Sequence, residues 1–168
     1  LSLGSVCAFK GIPYAEPPIG GLRWKPPQRL RGWSGARLAV SPGPAPLQEL
    51  PPRSTLIYRL NNDDARPLVM SEDCLYLNVW TPDPSKAARL PVLVWVHGGG
   101  NRTGHGAQDL FDATHLAERG VVVVTLNLRL GALGFLSLPE LAAEDALGAS
   151  GNYGLQDVVA ALGWVQEN

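Results

Sequence analysis

Two short aliphatic runs constrain the fold of this chain more than any other feature. Residues 92–96 and 121–126 are apolar on both faces, as in parallel strands that helices cover on each side. Between them, residues 110–119 carry apolar side chains at helical spacing, and Gly120 supplies a helix stop. The order strand, helix, strand predicts a right-handed crossover unit and therefore an α/β fold.

Further elements are predicted on both sides of this unit. Residues 6–10 indicate a short strand, and residues 75–80 alternate with period two, which indicates a strand partly buried on one face. A last helix is predicted from about residue 155 to the end. The length of 168 residues suits one domain, but two helices are too few to cover both faces of the strands. We therefore expect residues 1–168 to form a single, incomplete domain.

Composition excludes some classes of partner. With 14 Lys and Arg against 15 Asp and Glu, the net charge of −1 gives no reason to expect nucleic acid. No apolar run is long enough to span a bilayer, and the first residues lack the pattern of a signal peptide. The sequence does not distinguish a cytoplasmic protein from a secreted one. Cys7 and Cys74 lack metal-ligand spacing and are expected to be buried free thiols.

A run of glycines directly follows the first aliphatic strand. His97 is followed by Gly98, Gly99 and Gly100, so backbone N–H groups are left uncovered at the carboxyl end of the strand. Open α/β sheets bind ligands at this edge, and glycine lets a ligand approach the backbone closely. The pattern favours an oxyanion hole over a turn that merely requires glycine.

Five motifs occur in order along the chain. They are Phe-Lys-Gly-Ile-Pro-Tyr-Ala-Glu-Pro-Pro at residues 9–18, Ser-Glu-Asp-Cys-Leu-Tyr-Leu-Asn-Val-Trp at 71–80, His-Gly-Gly-Gly at 97–100, Asn-Leu-Arg-Leu-Gly at 127–131 with Gly-Phe-Leu at 134–136, and Gly-Asn-Tyr-Gly-Leu-Gln-Asp at 151–157. Together they resemble the N-terminal part of the type-B carboxylesterases, the family of the cholinesterases and neuroligins. The resemblance implies part of an α/β-hydrolase fold, with a mixed, mainly parallel sheet flanked by helices. It also implies hydrolysis of carboxylic esters without a metal or cofactor.

The same resemblance implies catalytic residues that this chain lacks. The family uses a serine in a Gly-x-Ser-x-Gly turn, followed along the chain by an acid and a histidine. The strings at residues 32–35 and 148–151 come nearest, but neither has the closing glycine. We therefore expect the catalytic Ser, Glu and His to lie beyond Asn168.

Roles for the glycine run follow from the resemblance. Gly99 and Gly100 match the family positions whose N–H groups point at the developing oxyanion. His97 and Gly98 match positions that shape the loop. A second interpretation takes His97 as a catalytic base. The family histidine that serves this role lies far downstream, and a base must reach its nucleophile, which favours the loop-shaping role.

Four charged residues match two buried salt bridges of the family, one between Arg23 and Glu72 and another between Arg129 and Asp157. A different interpretation takes Glu72 and Asp73 as the paired carboxylates of a glycosidase. Adjacent strand residues point to opposite faces, which favours the salt bridge.

The series of motifs favours the first of three functions, the N-terminal part of a serine carboxylesterase that hydrolyses small, uncharged esters through an acyl-enzyme. The second is a catalytically inactive relative used for binding, as in neuroligin-like adhesion proteins. The third is a stand-alone product without activity. The oligomeric state is not indicated by the sequence.

Overall fold

The main sheet has five strands, and their order in the sheet differs from their order in the chain. The computed structural model describes residues 2–3, 5–56, 58, 67–85 and 87–168. The strands are β1 Ser2–Leu3, β2 Val6–Pro13, β5 Tyr76–Thr81, β6 Val92–Val96 and β7 Val122–Leu126, in the order β1-β2-β5-β7-β6. The short strands β3 Ala45–Pro46 and β4 Met70–Ser71 pair separately.

The direction of the strands confirms a mixed sheet. The β6–β7 pair is parallel, in register from Val92 opposite Val122 to Val96 opposite Leu126, as predicted for the crossover unit. The three other pairs of the main sheet are antiparallel, so the described strands are not mainly parallel as expected. Parallel partners require a crossover connection, whereas antiparallel partners do not.

The α-helices whose bounds the structure describes lie in the second half of the chain. They are α1 Thr114–Ala117, α2 Gly131–Phe135, α3 Pro139–Ala143 and α4 Tyr153–Glu167, with 3₁₀ turns at Gly20–Leu22 and Asp109–Phe111. Helix α4 confirms the predicted last helix and begins two residues earlier. In the described part of the chain, no helix combines the length and apolarity needed to cross a membrane.

The single helix predicted over residues 110–119 is wrong. The structure has a 3₁₀ turn, then extended backbone at Asp112, then the one-turn helix α1. The Asp112 Oδ1 atom accepts a hydrogen bond from the Thr114 N–H at 3.0 Å. This local bond competes with the helical pattern and explains the break.

The core lies on both faces of β5 and β7. Leu77 and Leu126 pack in one cluster, whereas Trp80 and Val123 pack in another on the opposite face. Strand β5 is therefore buried on both faces, not on one as its alternating pattern predicted. The alternation reflects Asn78, a buried polar residue whose side chain hydrogen bonds to Thr125.

Strand β6 is apolar in sequence but exposed in the structure, which agrees with the expectation that two helices are too few to cover both faces of the strands. Its sequence indicates burial on both faces, yet its Val92, Leu93, Trp95 and Val96 are between 39% and 49% exposed. The strand stands at the edge of the sheet and pairs with β7 alone among the described strands. Its apolar side chains lack the covering elements that the sequence pattern requires.

Candidate functional site

The glycine run begins a loop, residues 97–106, at the carboxyl end of β6. We call it the glycine loop. Because β6 and β7 are parallel, their carboxyl ends lie at the same edge of the sheet, where α/β folds bind ligands. The carbonyl of Asn101 accepts a hydrogen bond at 2.7 Å from the N–H of Gly131, the first residue of α2. The loop is thus anchored to the helix that follows β7.

Gly99 has a conformation and surroundings that only glycine satisfies. Its φ is +125°, and a Cβ atom there would overlap the Thr103 carbonyl oxygen. Its own carbonyl accepts hydrogen bonds from the N–H groups of Arg102 and Thr103, at 3.1 and 3.2 Å. The carbonyl is therefore engaged within the loop.

The N–H groups of Gly99 and Gly100 are free. Neither donates a hydrogen bond within the described residues, and both glycines are exposed. Gly100 has a φ of +61°, and nothing lies within 4 Å of its virtual Cβ. Two successive uncovered donors can bind an oxygen that carries negative charge.

His97 is buried behind these donors. Its ring Nδ1 lies 2.8 Å from the Gly98 carbonyl oxygen, and because that oxygen only accepts, Nδ1 is the donor. Burial lowers the pKa of His97, so the ring is neutral. The Nδ1–H of the ring is therefore hydrogen bonded to the backbone of the glycine loop.

Gln48 contacts the glycine loop from a distant segment and was missed by the sequence analysis. Its Oε1 accepts a hydrogen bond from the Gly104 N–H at 2.6 Å, and its Nε2 donates to the Gly104 carbonyl at 2.8 Å. The two residues are 56 positions apart, and no local pattern marks the pair.

The end of the glycine loop is fixed to the strand β7 and its extension. The Asn127 Oδ1 accepts from the Gly106 N–H at 2.8 Å, and the Thr125 hydroxyl donates to the Gly106 carbonyl at 2.6 Å. A Cβ at Gly106 would lie 2.7 Å from the Leu126 carbonyl oxygen, so only glycine allows this approach. Both backbone groups of Gly106 are satisfied by buried side chains.

His105 lies in the same loop and is buried, whereas His115 is exposed. The N–H of Ala107 donates to the His105 Nδ1 at 3.3 Å, which leaves the proton of the neutral ring on Nε2. Burial, together with the neighbouring His97, lowers the pKa of His105 to about 4. His105 is therefore a packed neutral residue.

A cavity of about 340 Å³ opens beside the glycine loop. Its wall contains no Asp, Glu, Lys or Arg among the described residues. It is lined by Gln48, Leu50, Pro51, Leu68, Gly98, Gly99, Thr103, Gly104, His105, Gln108, Leu110 and Phe111. A larger cavity of about 600 Å³, on the Lys10 and Trp80 side of His105, includes none of the residues 97–104. Of these two cavities, the smaller one therefore adjoins the free donor of Gly99.

Arg129 and Asp157 form a buried ion pair. Their shortest contact, Nη2 to Oδ1, is 2.7 Å, and the side chains are 3% and 0% exposed. The Arg129 Nη1 donates further to the Lys25 carbonyl at 2.8 Å. The pair joins the connection after β7 to α4.

Arg23 and Glu72 form a second ion pair, with contacts of 2.6 and 2.8 Å. This pair is partly exposed, at 38% and 24%, and not buried as expected, because it joins two surface loops. The neighbouring Asp73 accepts a hydrogen bond from the Tyr76 hydroxyl at 3.2 Å. Glu72 and Asp73 thus have separate partners and do not form the paired carboxylates of a glycosidase.

The remaining candidate ligands do not converge. Within the described ranges, no three His, Cys, Asp or Glu side chains are grouped so as to hold a metal ion. Both cysteines are free; Cys74 is buried, but Cys7 is partly exposed. The prediction of two buried thiols is therefore correct for Cys74 alone.

Comparison with protein families and curated proteins gives consistent matches. The family model described as "Carboxylesterase family" matches residues 2–168. A fumonisin B1 esterase of Sphingopyxis macrogoltabida is 47% identical over 165 residues, which cover 98% of this chain and 29% of that protein. Carboxylesterase 1E of Mus musculus is 43% identical over 166 residues, covering 97% of this chain and 28% of the relative. The chain thus spans less than a third of the length of these relatives.

Solved structures match the fold of this chain over a similar share of their own length. A PNB esterase structure superposes with a TM-score of 0.85 at 41% identity, covering 100% of this chain and 32% of that one. The carboxylesterase EST55 of Geobacillus stearothermophilus superposes with a TM-score of 0.83 at 39% identity, again with 100% and 32% coverage. The mixed sheet and its helices therefore correspond to about a third of an esterase chain, consistent with the expected N-terminal portion of an α/β-hydrolase fold.

Proposed function

Because the chain belongs to the carboxylesterase family, we propose that the protein containing it hydrolyses carboxylic esters and that Gly99 and Gly100 form part of its oxyanion hole. The observation that carries the proposal is the pair of free N–H groups at the carboxyl end of β6. Family membership supports the reaction class, and the geometry of the glycine loop supports the role proposed for these two residues.

The chemistry explains why such donors are needed. When a nucleophile attacks an ester, the carbonyl oxygen gains negative charge, and fixed donors stabilise that charge. One donor of this kind contributes about 3 to 4 kcal/mol to transition-state stabilisation. The serine nucleophile, its histidine base and the acid that orients the histidine are proposed to lie beyond Asn168. The acyl-enzyme would form on that serine.

The smaller cavity supports a class of substrate. Leu50, Leu68, Leu110 and Phe111 make its wall largely apolar. Among the residues that the structure describes, the wall has no charged side chain that could bind an ionised group. We therefore assign it to an uncharged group of a small ester. The name of the Sphingopyxis relative refers to fumonisin B1, so we include this compound among the substrates to be tested.

Hydrolysis of p-nitrophenyl acetate by the purified full-length protein tests the proposal. We expect turnover, and stoichiometric labelling of one serine beyond residue 168 by an organofluorophosphate. Absence of both would overturn the proposal and would instead fit the inactive binding relative. A Gly99→Ala variant serves as the comparison, because its added methyl group overlaps the Thr103 backbone.

A further inference from the structure

The side-chain amide of Gln48 is hydrogen bonded to both backbone groups of one residue in the glycine loop. Its Oε1 accepts from the Gly104 N–H at 2.6 Å, and its Nε2 donates to the Gly104 carbonyl at 2.8 Å. The same Nε2 donates to the Pro46 carbonyl at 3.0 Å. Two bonds to one peptide residue fix both its position and its orientation, as a neighbouring strand would.

Gly104 in turn packs directly against the residues that precede the free donors. A Cβ at Gly104 would overlap the His97 Nδ1 and would lie 2.6 Å from the Gly98 carbonyl oxygen. These two atoms are already joined by the 2.8 Å hydrogen bond of the His97 ring. Contacts therefore run from Gln48 through Gly104 to the backbone immediately before Gly99.

No other side chain of the described part of the chain is hydrogen bonded to the backbone of Gly104. In that part of the chain, the other backbone bonds of this turn are those from Arg102 and Thr103 to the Gly99 carbonyl and the bond from the Gly131 N–H to the Asn101 carbonyl. Gln48 thus connects this turn to the segment around β3, which precedes it by about fifty residues.

We propose that Gln48 is a positioning residue of the oxyanion hole: by holding Gly104 against His97, it sets the direction of the Gly99 and Gly100 N–H groups. The inference rests on the proposed function of those two donors. Oxyanion donors act only when they lie within about 2.7 to 3.1 Å of the charged oxygen. A small displacement of the loop therefore weakens transition-state binding more than substrate binding.

The chain offers a matched control. Gln28 donates from its Nε2 to the Pro26 carbonyl at 2.9 Å, the same local bond that Gln48 makes to Pro46, and its side chain makes no bond to the glycine loop. Comparing Gln48→Ala with Gln28→Ala distinguishes the effect of losing the bonds to Gly104 from the effect of losing a local glutamine–proline bond.

The experiment uses the full-length protein and measures kcat and KM for p-nitrophenyl acetate. It also measures inhibition by a trifluoromethyl ketone, which forms an oxyanion on the enzyme, and by the matching methyl ketone, which stays a ground-state mimic. For Gln48→Ala we expect kcat to fall about 10- to 100-fold, with KM within about twofold. We expect affinity for the trifluoromethyl ketone to fall in parallel, and that for the methyl ketone to stay the same. Gln28→Ala should match the wild type in all four values.

A second variant covers the case in which Gln48→Ala does not fold. Gln48→Glu has the same shape and keeps the acceptor, but replaces the donor facing the Gly104 carbonyl with a negative oxygen. It should show the same selective loss of trifluoromethyl ketone affinity.

Equal losses for both ketones, or unchanged kcat in a folded variant, would overturn the positioning role while leaving the esterase proposal intact. A wild-type protein without ester hydrolysis would overturn the esterase proposal and, with it, this inference.

Discussion

The carboxylate of Asp157 accepts three hydrogen bonds from Arg129. Its Oδ2 accepts from the Arg129 backbone N–H and from Nε, each at 2.9 Å, and its Oδ1 accepts from Nη2 at 2.7 Å. Asp157 lies on α4, whereas Arg129 lies between β7 and α2. One carboxylate thus holds both the backbone and the side chain of Arg129 in the connection that follows β7.

Loss of this carboxylate should be costly. In Asp157→Asn, the Arg129 guanidinium stays buried without its counter-charge, which typically costs about 3 to 5 kcal/mol. We expect a fall of that size in the free energy of unfolding, measured by urea denaturation of the full-length protein. Glu167→Gln is the control, because its pair with Arg29 is exposed at the surface. A loss below about 1 kcal/mol in Asp157→Asn, typical of surface pairs, would contradict the assignment.

Gly99 and Gly100 should differ in their tolerance of alanine. Gly99→Ala forces the loop away from the Thr103 carbonyl, whereas Gly100→Ala meets no atom within 4 Å and carries only the strain of a φ of +61°. We expect Gly99→Ala to lower kcat for p-nitrophenyl acetate by about 100-fold or more. Gly100→Ala should retain more activity, because the strain of one left-handed residue is only about 1 to 2 kcal/mol. The reverse order of activities would contradict the described loop geometry.

His105 should make stability depend on pH. Its pKa is lowered from 6.5 to about 4 in the folded protein, mainly by burial. Below pH 6.5 the unfolded chain therefore binds a proton that the folded chain does not, and stability falls until about pH 4. The shift corresponds to about 3 kcal/mol, with no contribution above pH 6.5.

Urea denaturation at several pH values between 4 and 7.5 checks this expectation. His105→Gln should flatten the stability profile in that window. His115→Gln, which changes a side chain that is 96% exposed, should leave the profile as in the wild type. An unchanged profile in His105→Gln would show that burial of this ring does not destabilise the folded state at low pH.

The two cysteines should differ in reactivity. Cys74 is buried, and burial raises the pKa of its thiol, so little reactive thiolate forms. Cys7 is partly exposed on β2. We expect iodoacetamide to alkylate Cys7 first in the native protein, and both residues at similar rates in urea. Mass spectrometry of tryptic peptides follows each site, and early labelling of Cys74 would be inconsistent with its placement.

Residues 1–168 expressed alone should associate. Four of the five side chains of β6 are apolar and at least 39% exposed, and the outer edge of this strand is unpaired among the described residues. Light scattering should show particles that grow with concentration. A monomeric preparation with a sharp cooperative thermal transition would contradict this.

The sequence predicts an element correctly when the burial that its local pattern favours is also the burial that the folded structure provides. The apolar run of β7 is buried on both faces, so that prediction is confirmed. Helix α4 forms as predicted, but Leu155, Val159 and Leu162 of its apolar stripe are exposed. The run of β6 is at least as apolar as that of β7, but its exposure depends on what packs beside it. An apolar pattern shows which side chains favour burial, but it does not show whether another element packs against them.

The site shows the same limit. His97 and the three glycines stand next to one another in the sequence, so their proximity needs no knowledge of the fold. Gln48 reaches Gly104 only because the segment around β3 is folded back beside the loop. Asn127 likewise reaches Gly106 only once β7 is in the sheet. Contacts between polar side chains and distant backbone leave no periodic signal along the chain.

The strand order also has a consequence for the timing of assembly. Strand β7 lies between β5 and β6 in the sheet but follows both in the chain, so it must insert between two strands that are synthesised earlier. Such long-range pairing forms slowly. The side chains that fix Gly106 belong to Thr125 and Asn127, 19 and 21 residues later. The free donors therefore acquire their orientation late, and we expect a weakened β7 to reduce the yield of active molecules more than the turnover of each.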